Sequence, residues 1–205
     1  ASLVAALEAL VTGTGVGARL ADGAAQLCQS VGRPDSFVGL GGAELAPFEP
    51  RALPALGLHF ATSGQPSTEF SAFGIIAALL SGHTPRAVGP AAELCRQAQQ
   101  EAAIMDSIGL CSLPLLGLGL ADLLPMLPAA TGWNLSVDEA MSLGAEVVDL
   151  ERSLNAKAGA LSPGLPRRLT EEPLSSGAAA GNVCRLKEML NSYPLSPLFG
   201  AGAPR

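Results

Sequence analysis

Aromatic residues make up only 4% of the 205 residues, and valine and isoleucine are scarce beside alanine and leucine. Strands are built from the missing types, whereas alanine and leucine favour helix. The composition therefore predicts an all-α fold, an irregular multi-helix domain with long loops. Only two histidines are present, which excludes a multi-histidine metal site. No Lys/Arg cluster could neutralise a phosphate backbone, and a net charge of −6 argues against nucleic acid as a partner. Charged residues are also too few for a disordered chain. Four cysteines stand at 28, 95, 111 and 184, with no CxxC pair among them. They are too sparse for a disulfide framework, so a reducing cytoplasmic location is expected. GxSxG, HExxH and P-loop patterns are absent. The opening residues lack the basic region of a signal peptide, and the missing initial Met fits a trimmed chain or a fragment.

What is abundant is glycine, with 24 residues, and proline, with 16, which must cut the helices short. The pattern predicts helices at about 2–11, 17–31, 70–80 and 90–105. The second carries Leu20, Ala24, Leu27 and Val31 on one face. Between 33 and 70, repeated turn signals predict a long loop packed over helices, with one short extended piece around Leu58-His59-Phe60. The apolar stretch 108–130 is interrupted by Pro114, Pro125 and Pro128. It reads as a buried helix flanked by loops rather than a membrane span. The clearest helix spans 137–158. Ser136 caps it, Glu139 completes a capping box, and Gly159 closes it. Ala140, Leu143, Val147, Leu150, Leu154 and Ala158 form an apolar stripe on it that is expected to be buried. An extended linker over 160–181, a helix opened by Asn182 and an aperiodic tail from Pro194 complete the chain.

Most motif-like features have structural explanations. Gly13-Thr14-Gly15-Val16-Gly17 follows an Ala/Leu helix rather than a strand, so a tight helix–helix turn is expected and NAD binding is not. His59 and His83 read as structural residues, and Glu171-Glu172 as solvated charge. Asp106-Ser107-Ile108-Gly109-Leu110-Cys111 differs. A bend at the end of a helix there could present a thiolate and backbone amides to a ligand, with Asp106 accepting hydrogen bonds. A buried structural cysteine is the commoner reading of such a residue taken alone.

Several segments, in order, resemble the tungsten-containing aldehyde:ferredoxin oxidoreductase family. Asp106–Cys111 is similar to its DxxGLC motif, and Gly15 to Gly23 to its GxGxxLAEG helix start. Pro47-Phe48-Glu49-Pro50-Arg51 and Gly57-Leu58-His59-Phe60-Ala61-Thr62-Ser63 resemble its "PayDPRal…GlgLsYATS" stretch. Thr131-Gly132-Trp133, Glu139 and Leu150-Glu151-Arg152-Ser153-Leu154-Asn155 resemble "TGw…E…leRaFN". Leu165-Pro166-Arg167-Arg168-Leu169 resembles "LPeRf".

The resemblance implies a helical C-terminal region. Residues 1–35 would be the tail of a middle helical domain and 36–205 a C-terminal one. It implies oxidation of aldehydes to carboxylates at a tungsten (or molybdenum) bis-pyranopterin, with electrons leaving through a [4Fe–4S] cluster to ferredoxin. Asp106, Gly109 and Leu110 would contact the pterin, and Cys111 would be one cluster ligand. The family's CxxCxxxC triplet and its N-terminal pterin-binding portion lie outside this sequence. The isolated chain is therefore expected to be inactive and to hold no cofactor until an N-terminal portion or subunit joins it. The family's Arg and His after "ATS" are also missing, and Glu69 falls at the histidine position. That loss supports an alternative, a non-catalytic scaffold or interaction subunit with the metal site gone.

Overall fold

The computed structural model describes residues 2–65, 68–159 and 164–193. As expected, the architecture is helical. Helices α1 (Leu3–Thr12), α2 (Val16–Leu20) and α3 (Ala24–Ser30) open the chain and pack on one another in succession. The expected single helix over 17–31 is thus two, because Gly23 sits at φ 89°, outside helical geometry. Gly13 closes α1 in the left-handed conformation. A Cβ on Gly17 would lie 1.9 Å from the Ala9 carbonyl oxygen, so α2 crosses α1 at backbone contact. The glycine cluster is therefore a helix–helix turn.

A two-residue hairpin follows, β1 (Gly39–Leu40) antiparallel to β2 (Ala43–Glu44), turned by Gly41 and Gly42 at positive φ. The long loop expected over 33–70 is interrupted by α4 (Pro54–Thr62), and the piece around Leu58-His59-Phe60 is helical rather than extended. Residues 55–62 are buried throughout. A helix buried on every face shows no 3.6-residue alternation, which is why periodicity missed it, while Pro54 suits its first turn.

Helix α5 (Phe73–Leu80) follows a 3-10 turn over Phe70–Ala72, and α6 (Val88–Ser107) forms the central rod. Against α6 pack α4, α5 and α9 (Val137–Lys157). Phe60, Leu56, Leu58, Ile75, Met105 and Met189 lie fully buried around it. The expected single helix in 108–130 is instead a chain of short turns. It comprises 3-10 segments at Leu113–Leu116 and Leu124–Met126, α7 (Leu120–Leu123) and α8 (Leu127–Thr131). The prolines at 114, 125 and 128 each stand at the start of one of these pieces and end what precedes it. Among the described residues, no helix is long and apolar enough to cross a membrane.

Helix α9 begins as expected, with Ser136 and Glu139 exchanging capping hydrogen bonds. Of its apolar stripe, however, only Ala140 is buried, and Val147 is half-buried. Leu143, Leu150 and Leu154 are 39%, 60% and 57% exposed, and the face turned to α6 carries Ala140, Gly144 and Arg152. Small residues there let two backbones approach: a Cβ on Gly144 would lie 2.4 Å from the Gln100 carbonyl oxygen. Periodicity locates an apolar face, but close packing of small residues decided which face meets the core.

The expected linker holds α10 (Arg167–Glu171), with 160–163 outside the described residues. The last helix, α11 (Leu186–Asn191), starts four residues beyond Asn182. It buries Leu186 and Met189, and the tail from Pro194 lies outside the described residues.

Candidate functional site

The end of α6 is a Schellman turn. Leu110 N–H donates to the Met105 carbonyl at 2.9 Å, Gly109 N–H donates to that of Asp106 at 3.1 Å, and Gly109 sits at φ 74°. The amides of Gly109 and Leu110 are thus spent on the helix cap. The turn offers a ligand not these amides but the Leu110 side chain, 39% exposed, and the exposed thiol of Cys111. The sequence expectation that the bend presents backbone amides is corrected on this point.

Asp106, in the last turn of α6, points the other way. It lines a cavity of about 280 Å³ between the C-terminus of α4, α6 and α9. Thr62 and Ser63 close one side, and Glu151, Arg152 and Asn155 form the wall on α9. Gly64 brings the loop after α4 onto that wall, where a Cβ would stand 3.0 Å from Asn155 Nδ2. Burial pushes the Asp106 carboxyl above its ordinary value. Burial also raises Glu151, with the Asp106 charge adding to the rise and Arg152 opposing it. Neither acid forms an ion pair with another described residue.

Beneath the cavity runs a buried polar network drawn from four segments. Gln99 Nε2 donates to His59 Nδ1 at 3.0 Å and to Thr62 Oγ1 at 3.2 Å. Gln99 Oε1 accepts from Arg152 Nη2 at 2.9 Å and from the Tyr193 hydroxyl. Arg152 also donates to the Tyr193 oxygen and stacks 4.8 Å from its ring centre. Because Nδ1 of His59 accepts, its proton sits on Nε2, which donates to the Thr68 carbonyl at 3.0 Å. Burial pulls the His59 pKa down to about 4, so the ring is neutral at pH 7. Arg152 is 6% exposed, and its nearest acid, Asp149, stands 3.6 Å away, beyond hydrogen-bond reach. Burial lowers its pKa as well, though a guanidinium stays protonated.

Of the residues singled out from sequence, Asp106 lies in the cavity, while Gly109, Leu110 and Cys111 lie beyond it on the turn. Glu69 is half-buried before the 3-10 turn and does not line the cavity. The position after "ATS" is described only in part, since residues 66 and 67 lie outside the described set. His59 is structural, as expected. Sequence reasoning did not single out Gln99, Glu151, Arg152 or Tyr193 as site residues. The available signal was a glutamate, an arginine and an asparagine at i, i+1 and i+4 on one helix. Among the described residues, no three His, Cys, Asp or Glu side chains gather as metal ligands. Burial pushes the Cys95 and Cys184 thiols up to about 12, and Cys28 is half-buried on α3. Cys111 is the exposed thiol among the four, open to a group held from outside the described residues.

Comparison with known proteins places these segments in a larger frame. Residues 1–193 match the family described as "Aldehyde ferredoxin oxidoreductase, domains 2 & 3". The tungsten-containing aldehyde ferredoxin oxidoreductase of Pyrococcus furiosus is 32% identical over 197 residues, covering 91% of this chain and 32% of that protein. Its namesake from Pyrococcus horikoshii is 33% identical over 189 residues, covering 87% and 31%. That of Thermococcus kodakarensis is 32% identical over 188 residues, with the same coverage. The chain therefore spans about a third of the length of the curated relatives it matches.

Proposed function

Since this chain belongs to the aldehyde ferredoxin oxidoreductase family, we propose that it forms one wall of a tungsten (or molybdenum) bis-pyranopterin oxidoreductase. The reaction is the oxidation of an aldehyde to a carboxylate, with electrons passing through a [4Fe–4S] cluster to ferredoxin. The bound cofactors would supply all of the redox chemistry. Residues 1–35 are assigned to the end of a middle helical domain and 36–205 to the C-terminal one, in a cytoplasmic protein.

One observation carries the proposal. Three segments far apart in sequence, Thr62-Ser63, Asp106 and Glu151-Arg152-Asn155, meet at a single cavity, and the exposed Cys111 thiol follows the turn that ends the helix delivering Asp106. Asp106 accepts hydrogen bonds from N–H groups of a pterin edge, which its partner-free, partly desolvated carboxylate suits. Leu110 supplies apolar contact, and Gly109 supplies the left-handed turn that sets both residues apart from the helix. Cys111 gives one thiolate, and the remaining three come from the N-terminal portion. Ferredoxin is the electron acceptor of the assembled protein.

The scaffold alternative is favoured by one specific observation. Glu69, at the family's histidine position, stands outside the cavity wall.

Co-expression with the N-terminal portion of a family relative tests the first reading. The complex is expected to contain tungsten or molybdenum and a [4Fe–4S] cluster by metal analysis and electron paramagnetic resonance. Cys111→Ser should remove the cluster. A cluster that survives Cys111→Ser refutes the ligand assignment. A complex that forms without any metal leaves the scaffold reading standing.

A further inference from the structure

Helix α9 turns its leucines away from its own core, and they are not isolated on the surface. With Ile104 and Ile108 of α6, and with Trp133, the residues Leu143, Val147 and Leu150 line a groove of about 310 Å³. Trp133 is 61% exposed and Leu150 60%. An amphipathic helix normally buries its stripe, and water contact with contiguous leucine, isoleucine and tryptophan surface is unfavourable in proportion to area. Its α6 end is formed by Ser107 and Ile108. Leu110 and Cys111 follow within three residues, and both are exposed.

We propose that this groove is the docking surface for an apolar segment of the N-terminal portion, the segment adjoining its three cluster thiolates. This inference rests on the two-part reading above. Four thiolates bound to one cubane must approach within a few ångströms of one another. A polypeptide that supplies three of them beside Cys111 must therefore pass the end of the groove next to it. The matched relatives provide such a polypeptide, since about two thirds of their length lies outside the match. Burying Trp133 and the leucine stripe would give the contact its apolar centre, and tryptophan is the residue type most enriched at such centres.

The full chain and an N-terminal portion of a family relative are titrated by calorimetry, with wild type compared against Leu150→Lys, Trp133→Ala and Cys111→Ser. All three positions are exposed, so thermal unfolding of each isolated variant should match wild type. We expect Leu150→Lys and Trp133→Ala each to weaken association by about tenfold or more. Cys111→Ser should abolish cluster binding while the two portions still associate more tightly than with either groove variant. Association unchanged by both groove substitutions overturns the inference even if the cluster forms, and so does a failure of the two portions to associate. Sedimentation showing that the isolated chain self-associates through Leu150 also overturns it, since a second copy would then cover the groove. A wild-type complex that needs Leu150 yet holds no cluster supports the groove and refutes the redox reading instead.

Discussion

Replacing Gly144 by alanine should destabilise this protein even though the substitution improves helix propensity. In an unconstrained helix interior, Gly→Ala stabilises by about 1 kcal/mol. Here the new methyl would stand 2.4 Å from the Gln100 carbonyl oxygen and 3.0 Å from its carbon, both backbone atoms of α6. Neither can swing aside as a side chain would, so α9 must retreat by at least about half an ångström. Overpacking of this kind costs about 1–3 kcal/mol. A net loss of up to about 2 kcal/mol is expected once propensity is subtracted, which lowers Tm by up to about 8 °C for a domain of this size. Arg152 lies two helical turns further along the same face, so its bonds to Gln99 and Tyr193 should loosen too. Urea and thermal unfolding measure the loss, with Gly89→Ala as the control, since nothing lies within 4 Å of a Cβ there. A Tm raised by Gly144→Ala as much as by Gly89→Ala would refute the backbone-contact packing of α6 on α9.

Acidification should weaken the fold through His59. Its folded pKa of about 4 lies below the ordinary 6.5, so the unfolded chain takes up the proton first. The associated stability is complete above about pH 6.5 and declines as pH falls towards 4, by on the order of 3 kcal/mol in all. Urea midpoints from pH 7 to 4 should show the slope in wild type and a flatter profile in His59→Gln. A His59 ring that titrates near 6.5 in nuclear magnetic resonance spectra would rule this out. Glu151 has the opposite sign, because its folded pKa is raised and its ionisation opposes folding as pH rises. Glu151→Gln should therefore raise the urea midpoint at pH 7, and a fall would mean that the carboxylate has a stabilising partner. In the native protein Cys111 should be alkylated first, with Cys95 and Cys184 protected until unfolding. Fast labelling of Cys95 would contradict the packing around α6.

The helical class was legible because alanine and leucine replace β-branched and aromatic residues throughout. Helix α9 was legible for a local reason, since its capping box lies within four residues. The boundaries that failed share a cause. Helix α4 is buried on all sides and so carries no period, and the break at Gly23 depends on a single backbone angle. Asp106 and Cys111 were singled out from the DxxGLC segment, but their separation by the Schellman turn into a cavity and an outer surface was not foreseen. The Gln99–Arg152–Tyr193 network was out of reach of pattern reading. Its members lie 53, 41 and 94 residues apart pairwise, and only the packing of α6, α9 and the turn after α11 unites them.

Two features of α9 oppose what isolated folding would select. Its inward face carries a nearly buried arginine, with Glu151 beside it and Asp106 across the cavity on α6, two carboxylates raised by partial burial and without an ion-pair partner among the described residues, an arrangement that desolvation makes unfavourable. Its outward face carries leucines in water. Exchanging the two faces would improve the hydrophobic term and relieve the electrostatic one. That the sequence holds both against this gain makes sense only if each face meets something further. Ligand N–H groups would neutralise the carboxylates, and an apolar segment would cover the stripe. Both needs fall where α6 packs on α9, since the cavity and the groove are each lined by these two helices, so a single docking event could meet them together. The stability this chain forgoes alone is then recovered in the assembly, and ligand site and interface are coupled through α9.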